Sequence, residues 1–356
     1  MKLIRNAVLA SFGALALSSC HAFHDDLPEC PKPMAEIKFT YTQNMDFEDQ
    51  FKESVHCLDL YIFKVLDGTK AEGATTSLVK TYHNENRMAD GTVSQTMELE
   101  PGNYQAVVYG GMNCSQSSFA FKNLFSENPS VSVEDLEVAL QSQFYFDETD
   151  ETGDPEEDGI DHSALELHNH FYGTGNFTVT DMQTTPVVID MMRNTNTINL
   201  YIVDKDAYDL EAHDYRMYII DDNNEMGPDN LLIDSDDIVY RPYIKENTNV
   251  TYNNKNYPGI QTSFTVSKLS TRRSPKIAII NKSIGNEKPM LYTDLLPLLL
   301  AIKEKDPVGK TLDTQDYLNR ENEWTITCEI DVAKNTWVSI TIKVKDWEVR
   351  YDNASL

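Results

Sequence analysis

The residue whose surroundings point most directly to chemistry is Cys20. It follows the basic residues Lys2 and Arg5, an apolar run over Ala7–Leu17, and the small pair Ser18-Ser19. A basic start, a short apolar core and small residues before a cleavage point are typical of a secretory signal peptide. The apolar run spans about 11 residues, well short of the roughly 20 that a membrane-spanning helix requires.

A cysteine directly after this signal predicts lipidation. We expect cleavage between Ser19 and Cys20, as in bacterial lipoproteins, with acyl chains on the thiol and on the freed amine of Cys20. Because each buried methylene contributes about 0.8 kcal/mol, two or three long chains hold a protein far more firmly than one. The alternative is an ordinary signal peptide with an incidental cysteine. The sequence therefore predicts that residues 1–19 are removed and that the mature chain is tethered to a membrane.

Four further cysteines could form disulfides or bind metal: Cys30, Cys57, Cys114 and Cys328. An exported chain meets an oxidising compartment, where one or two disulfides can form, and four cysteines allow three pairings. Their irregular spacing, with no CxxC pair, argues against a zinc cluster. Cys328 shares a strand face with apolar residues and is expected to be a buried free thiol. Cys30 and Cys114 fall in loops or near strand ends, and we expect these two to pair.

The densest acidic stretch is Asp147–Asp161. Four of its residues fit positions 1, 3, 5 and 6 of a calcium-binding loop: Asp154, Glu156, Asp158 and Gly159. The twelfth position, however, is Leu165 instead of glutamate, and no helix pattern leads into the segment. We interpret the stretch as a solvated loop, and weak calcium binding stays open as the alternative.

Histidines offer a second set of candidate ligands, because His168 and His170 are spaced to share one face of a strand, with His162 nearby. Zinc needs three or four ligands, and a third is not identifiable, so we predict no metal site and no cofactor. The sequence contains no HExxH, GxSxG, GxGxxG or phosphate-loop motif. Pairs of carboxylates, which glycosidases use for catalysis, are not evidence for such an enzyme in a chain with 57 acidic residues. We therefore predict that the protein is not an enzyme.

Charge and composition limit the classes of partner. The 356 residues carry a formal net charge of −27. A surface this acidic repels phosphate backbones, which argues against nucleic acid as a partner. Hydrophobic residues make up 40% of the chain, enough for folded cores and too many for a disordered protein. Cleavage would leave 337 residues (356 minus 19), enough for two domains.

Alternation of apolar and polar residues dominates the chain after residue 33. It is clear over Leu58–Phe63, over Tyr104–Tyr109 and over Val338–Val344. This period of two predicts half-buried antiparallel strands. Further strands are predicted at Phe177–Val179, Val187–Asp190, Ile198–Val203, Ile238–Tyr243, Phe264–Val266, Lys276–Ile280 and Trp324–Val332. Many short strands separated by Gly, Pro and Asn predict an all-β protein built from β-sandwiches.

Helices are expected to be few. The candidates are Asp46–Cys57, Ser132–Gln141 and Asp294–Lys305, and the leucines of the last are expected to pack on a sheet. Pro101-Gly102 predicts a type II turn before the strand at Tyr104.

The chain is predicted to divide into four parts. Residues 1–19 form the lipoprotein signal peptide, and residues 20–33 form an extended tether because three prolines in six positions disfavour a helix. Residues 34–190 and 191–356 form an N-terminal and a C-terminal β-sandwich domain.

Several short motifs, taken in order, resemble one family. After the lipoprotein cysteine and Cys30-Pro31 come the following segments: Leu60-Tyr61-Ile62-Phe63, Leu99-Glu100-Pro101-Gly102-Asn103-Tyr104, Val108-Tyr109-Gly110-Gly111, His170-Phe171-Tyr172-Gly173, Arg193-Asn194-Thr195-Asn196 and Tyr317-Leu318-Asn319-Arg320-Glu321. This series is similar to that of the FimB-type fimbrial anchor lipoproteins of Bacteroidales, and it runs through nearly the whole mature chain.

The resemblance implies two tandem transthyretin-like, Greek-key β-sandwiches. It implies a basal subunit that holds a fimbria to the outer membrane and influences its length, with fimbrillins as partners and strand donation as the mode of assembly. Strand donation satisfies the open N–H and C=O groups of a sheet edge. The N-terminal strand, within Ala35–Thr42, is expected to stay in place because the segment before it carries the lipid. Trp337–Leu356 is either the polymer-facing element or a simple closing strand. The alternative function is a surface lipoprotein that binds glycans.

Overall fold

The computed structural model describes residues 31–66, 75–123, 129–141, 161–284, 288–303, 305–345 and 347–353. Within these ranges strands predominate and the helices are few and short, which confirms the predicted all-β class. The strands are β1 (Met34–Gln43), β2 (Leu58–Val65), β3 (Thr76–Asn84), β4 (Ser94–Glu98), β5 (Gly102–Gly110), β6 (Phe119–Phe121), β7 (Val138–Leu140), β8 (Asp161–Ser163), β9 (Phe171–Val179), β10 (Thr184–Arg193), β11 (Asn196–Asp204), β12 (Tyr215–Asp221), β13 (Glu225–Met226), β14 (Ile238–Tyr240), β15 (Ile244–Tyr252), β16 (Lys255–Val266), β17 (Lys276–Asn281), β18 (Leu291–Asp294), β19 (Glu323–Asp331), β20 (Thr336–Val344) and β21 (Trp347–Asp352).

Short helices connect some of these strands. The α-helices are α1 (Phe51–Ser54), α2 (Arg87–Asp90), α3 (Leu295–Leu299) and α4 (Thr314–Arg320). Single 3-10 turns lie at Val133–Asp135, Ala212–Asp214, Lys282–Ile284 and Val332–Lys334.

The first sandwich is one seven-stranded sheet that folds over itself, in the order β3-β2-β5-β9-β10-β1-β4. Strands β9 and β10 pair only at one end, through Tyr172 with Met192 and Phe171 with Arg193. The layer β10-β1-β4 can therefore turn to face the layer β3-β2-β5-β9. Buried residues from both layers form one core, among them Ile37, Phe39, Leu60, Ile62, Ala106, Val108 and Ile189.

A glycine allows the two layers to approach each other closely. A Cβ at Gly173 of β9 would lie 2.8 Å from Cγ2 of Ile189 on β10. It would also lie 3.3 Å from the carbonyl oxygen of Asp190. Any side chain at this position would push the layers apart, which explains the glycine at the end of the His170–Gly173 motif.

The second sandwich packs a six-stranded sheet on a five-stranded sheet. Their orders are β15-β16-β11-β19-β20-β21 and β18-β17-β12-β14-β8. The core between them includes Ile198, Leu200, Trp324, Ile326, Ile340 and Ile342 from the first sheet and Ile219, Tyr240, Ile277 and Ile279 from the second. Helix α3 adds Leu295, Leu298 and Leu299, which confirms that the leucine-rich segment packs on a sheet.

Strands from the residues before and after residue 190 combine in the same sheets. A small sheet, β13-β7-β6, combines two strands from the first half with one from the second, and β8 joins the second sandwich beside β14. Tyr61, Val107 and Tyr109, on the outer face of the first sandwich, belong to the same buried cluster as the second core. The predicted boundary between residues 190 and 191 falls inside β10, three residues before the end of that strand, and it stays a prediction.

Local structure departs from the sequence-based expectations at several points. Most strand pairs are antiparallel, as predicted, but β1–β10, β11–β19 and β8–β14 are parallel. The predicted helix at Ser132–Gln141 is wrong: one 3-10 turn leads into β7, because Val138 and Leu140 alternate into the core. The other two predicted helices shrink to α1 and α3. Gly102 has a φ of 158° and begins β5, so no type II turn forms there.

Candidate functional site at the C-terminal edge strand

Strand β21, the last strand of the chain, forms an open edge of the six-stranded sheet. It pairs with β20 over Trp347–Asp352 and, among the described strands, has no neighbour on its other side. Its exposed side chains include Trp347, which is 66% exposed. Val349 and Tyr351 only partly pack against the core. The edge therefore offers unpaired backbone donors and acceptors together with an exposed aromatic ring.

Arg350 fixes the middle of this strand through polar contacts. Its Nη2 donates to Oε2 of Glu329 on β19 at 3.1 Å, and its Nε donates to Oδ1 of Asp352 at 3.3 Å. The guanidinium carbon lies 5.9 Å from the ring centroid of Tyr252, which belongs to the opposite edge strand β15. Tyr252 lies in the part of the β15–β16 hairpin that extends beyond β11, and its hydroxyl lies 3.2 Å from Oγ1 of Thr341 on β20.

Strand β20, next to β21, is by contrast part of the core. Ile340 and Ile342 are fully buried, and Val344 is 2% exposed. Releasing β20 would expose all three side chains and cost several kcal/mol at about 1.5–3 kcal/mol per large apolar side chain. Releasing β21 would expose only partly buried residues. Within Trp337–Leu356, which the sequence left open as a polymer-facing element or a closing strand, β21 is thus the part that can detach without opening the core.

The opposite end of the described chain is held inside a sheet. Strand β1 lies between β10 and β4, and its alternate residues Ala35, Ile37, Phe39 and Tyr41 are buried. Detaching β1 would open the core of the first sandwich. The expected N-terminal strand is therefore in place in this structure, as a central strand and not as an edge.

Among the predicted reactive residues, Ser19, Cys20 and Cys30 lie outside the described residues. Cys114 is bonded to Cys57, with Cα atoms 5.9 Å apart, so the predicted Cys30–Cys114 pair was wrong. Cys57 follows α1 and Cys114 follows β5, and packing of Val55 against Gly110 brings these two points together. The spacing of the cysteines in the sequence did not predict this contact. Cys328 is a buried free thiol, as predicted, and burial raises its pKa to about 12.

The candidate metal ligands do not converge. His168 is exposed, whereas His170 is buried and stacks on Phe119 at 4.6 Å between ring centroids. Burial lowers the pKa of His170 to about 3. Among the described residues, His, Cys, Asp and Glu form no group of three or more suited to a metal ion. The possible calcium loop lies almost wholly outside the described residues, and the side chain of His162 is not described.

Two motifs of the family resemblance meet between the sandwiches. Nδ2 of Asn194 donates to Nδ1 of His170 at 3.1 Å and to Oδ1 of Asn230 at 2.7 Å. Nζ of Lys268 donates to Oδ1 of Asn194 at 3.4 Å, and burial lowers the pKa of this lysine to about 8. From the sequence, His170 was named as a candidate metal ligand and as part of a family motif, and Asn194 only as part of a motif. Asn230 and Lys268 were missed, because they lie in stretches without a recognisable pattern.

Comparison with known families decides what kind of protein carries these features. The sequence profile of the fimbrillin-A associated anchor proteins Mfa1 and Mfa2 matches residues 27–353, most of the chain. The chain belongs to this family. The Mfa2 family is a family of fimbria-associated anchor proteins and not of enzymes, so fimbrial subunits are its implied partners. The predicted resemblance to fimbrial anchors is thereby confirmed.

Solved structures share the fold of this Mfa2 family member. A candidate adhesin from Bacteroides thetaiotaomicron is 24% identical, with a TM-score of 0.72 over 91% of this chain and 99% of the other. A candidate polysaccharide-binding protein from the same organism is 21% identical, with a TM-score of 0.69 over 91% and 100%. The fimbrial anchor protein Mfa2 from Porphyromonas gingivalis is 13% identical, with a TM-score of 0.60 over 89% and 98%. No curated protein matches the sequence.

No helix among the described residues combines the length and the apolar character that a membrane span requires.

Proposed function

We propose that this protein is an outer-membrane lipoprotein and the basal subunit of a fimbria, held to the cell surface by acyl chains on Cys20. The proposal is supported by the match of the anchor family to residues 27–353 in a chain whose first 20 residues have the pattern expected of a lipoprotein signal. The acyl chains supply the membrane affinity, and the folded body supplies the contact with the polymer.

The two ends of the folded body suit different tasks. The N-terminal end enters a central strand, β1, whose buried side chains fill the first core. A pull on the tether therefore acts on a strand that is hydrogen-bonded on both sides. The C-terminal end is the edge strand β21, which is free on one side. We propose that the first shaft subunit of the fimbria attaches at this second end.

Strand donation by β21 is the mode of attachment that we propose. Residues Trp347, Val349 and Tyr351 alternate along the strand, so one face could fill apolar pockets in the sheet of the next subunit. The backbone of β21 would complete the ladder of that subunit. Anchoring at the base would also influence fimbrial length, because a polymer capped by a membrane-bound subunit stops growing at that end.

The lipid part of the proposal is tested by Cys20→Ser in the native host. We expect the variant chain to lose its acyl chains and the fimbriae to appear in the medium. Normal numbers of fimbriae on the cells, with the variant produced at the usual level, would overturn the anchoring role. Immunoblots of the variant and electron microscopy of cells and medium provide the two measurements.

The strand-donation part is tested separately by deleting residues 347–356. Because β20 and the core remain, we expect the truncated protein to fold and to stay on the membrane while fimbriae are lost from the cells. The matched control deletes only residues 354–356 and leaves β21 intact, so its fimbriae should be normal. A folded, membrane-bound truncation that still carries fimbriae would rule out donation by β21 without affecting the lipid proposal.

A further inference from the structure

A cleft with a volume of about 690 Å³ lies beside the disulfide, away from β21. One wall comes from the end of α1 and from the turn between β3 and α2. The other wall comes from the segments that follow β5 and precede β9. This volume falls within the range of roughly 300–1,000 Å³ that small-molecule sites occupy. Nothing in the proposed anchoring role uses this cleft.

The walls of the cleft are fixed relative to each other. The Cys57–Cys114 disulfide joins them covalently. Within the second wall, the segments after β5 and before β9 also lie in close contact, because a Cβ added at Gly111, which has a φ of 83°, would lie only 2.0 Å from the carbonyl oxygen of Asn169. The cleft is thus formed before any ligand arrives, which lowers the entropic cost of binding.

Polar groups that suit hydroxyl-bearing ligands line both walls. The first wall presents the carboxylate of Glu85 and the amide of Asn86, and the second presents the side chains of Gln116, Glu166 and Asn169. A carboxylate accepts hydrogen bonds and an amide both accepts and donates them, so together these groups can pair with the hydroxyl groups of a ligand. His168 holds Gln116 in position, because its Nε2 lies 3.2 Å from Oε1 of Gln116.

The charge of the lining selects among hydroxyl-bearing ligands. Within the described part of the chain, the residues that line this cleft include two glutamates and neither lysine nor arginine. A phosphorylated, sulfated or carboxylated ligand would meet repulsion from these two carboxylates, and the basic groups in the lining are the imidazoles of His56 and His168 rather than lysine or arginine. Met88, which is 40% exposed, adds an apolar surface against which the C–H face of a sugar ring can pack.

We propose that this cleft is a binding site for a neutral saccharide of one to three units. The site gives the anchor subunit a second function, recognition of glycans at the cell surface, which is independent of polymer attachment. Glu85, Asn86, Gln116 and Asn169 provide the hydrogen bonds, and Met88 provides the apolar contact.

The test is a glycan array that carries neutral, N-acetylated and anionic oligosaccharides, probed with the purified full mature chain. We expect binding to neutral or N-acetylated glycans and none to their anionic counterparts. Calorimetry with the best neutral oligosaccharide then compares Asn86→Ala and Gln116→Ala with the matched control Asn176→Ala, an exposed asparagine on β9. Each cleft variant should bind at least about tenfold more weakly, the effect of one lost hydrogen bond of roughly 1.4 kcal/mol.

Three outcomes would overturn the saccharide site. These are an array without any neutral binder, preferential binding of anionic glycans, and cleft variants that bind as tightly as the control. All substituted residues are at least partly exposed, so the variants should fold, and circular dichroism checks this. None of these outcomes touches the anchoring proposal, because fimbriae are not part of the measurement.

Discussion

The amide of Asn194 donates a hydrogen bond to Nδ1 of His170 at 3.1 Å, and both side chains are buried between the two sandwiches. Asn194 sits between β10 and β11, the point where the chain leaves the first sandwich for the second. His170 directly precedes β9. The contact therefore ties the connection between the sandwiches to the sheet that it has just left.

The protonation of His170 couples this junction to pH. Burial lowers its pKa from about 6.5 to about 3, so the folded protein resists a proton that the unfolded chain accepts. Stability from this group is present above pH 6.5 and is lost as pH falls toward 3. We predict that His170→Phe keeps the ring stacking. As pH falls from 6.5 to 5, the free energy of unfolding of this variant should rise by roughly 2 kcal/mol relative to that of the unsubstituted protein. Urea unfolding at both pH values measures this gain, and an unchanged difference would contradict it.

Asp221 has the opposite pH dependence. Burial raises its pKa from 3.8 to about 7, so the folded protein holds a proton that the unfolded chain has released. The stability it contributes is full below pH 3.8 and is lost as pH rises through 7. We predict that Asp221→Asn gains stability relative to the unsubstituted protein as pH rises from 4 to 7, by at most about 1.4 kcal/mol per pH unit. Unfolding curves at pH 4, 5.5 and 7 test this, and a constant difference would show that Asp221 is charged when folded.

The Cys57–Cys114 disulfide should stabilise the first sandwich. It closes a loop with a sequence separation of 57 residues. Chain-entropy estimates for such a loop give about 4 kcal/mol. The double variant Cys57→Ser, Cys114→Ser should lose about this amount in denaturant unfolding, and a reducing agent should then have no further effect on it. Peptide mapping without reduction should recover the linked pair, and recovery of a Cys30–Cys114 peptide would contradict the structure.

Arg320 holds the second sandwich against the first. Its Nη1 donates to the carbonyl oxygen of Thr42 at 3.1 Å, and its guanidinium carbon lies 4.7 Å from the ring centroid of Phe47. We predict that Arg320→Ala lowers the free energy of unfolding by about 2–3 kcal/mol, since a charged hydrogen bond and a cation–π contact are lost. Arg320→Lys should retain only part of this stability, because an ammonium group cannot stack on the ring and donate to the carbonyl in the same geometry. Equal stability of all three proteins in urea would exclude this role.

Sequence patterns predicted the strands well because alternation reports which side chains face a core. Predicted segments such as Val187–Asp190, Ile198–Val203 and Val338–Val344 lie inside observed strands. The same patterns could not predict which strands become neighbours. Parallel pairing of β1 with β10 joins residues about 150 positions apart, and nothing local encodes it.

The candidate sites were less accessible to prediction for the same reason. Cys57 and Cys114 meet because α1 packs beside the end of β5, and Arg350 on β21 contacts Tyr252 on β15, at the other edge of the same sheet. In Ser132–Gln141, which was predicted to be a helix, Val133, Leu136 and Leu140 fit a helical spacing as well as a strand. Tertiary packing, which places Val138 in the small sheet, decides for a strand.

The most direct test of the account is the mass of the N-terminal peptide of the mature protein, purified from outer membranes of the native host. We predict a peptide that begins at Cys20 and carries acyl chains on both its sulfur and its amine. A peptide that begins at Cys20 or elsewhere with the thiol unmodified would contradict the proposed anchoring.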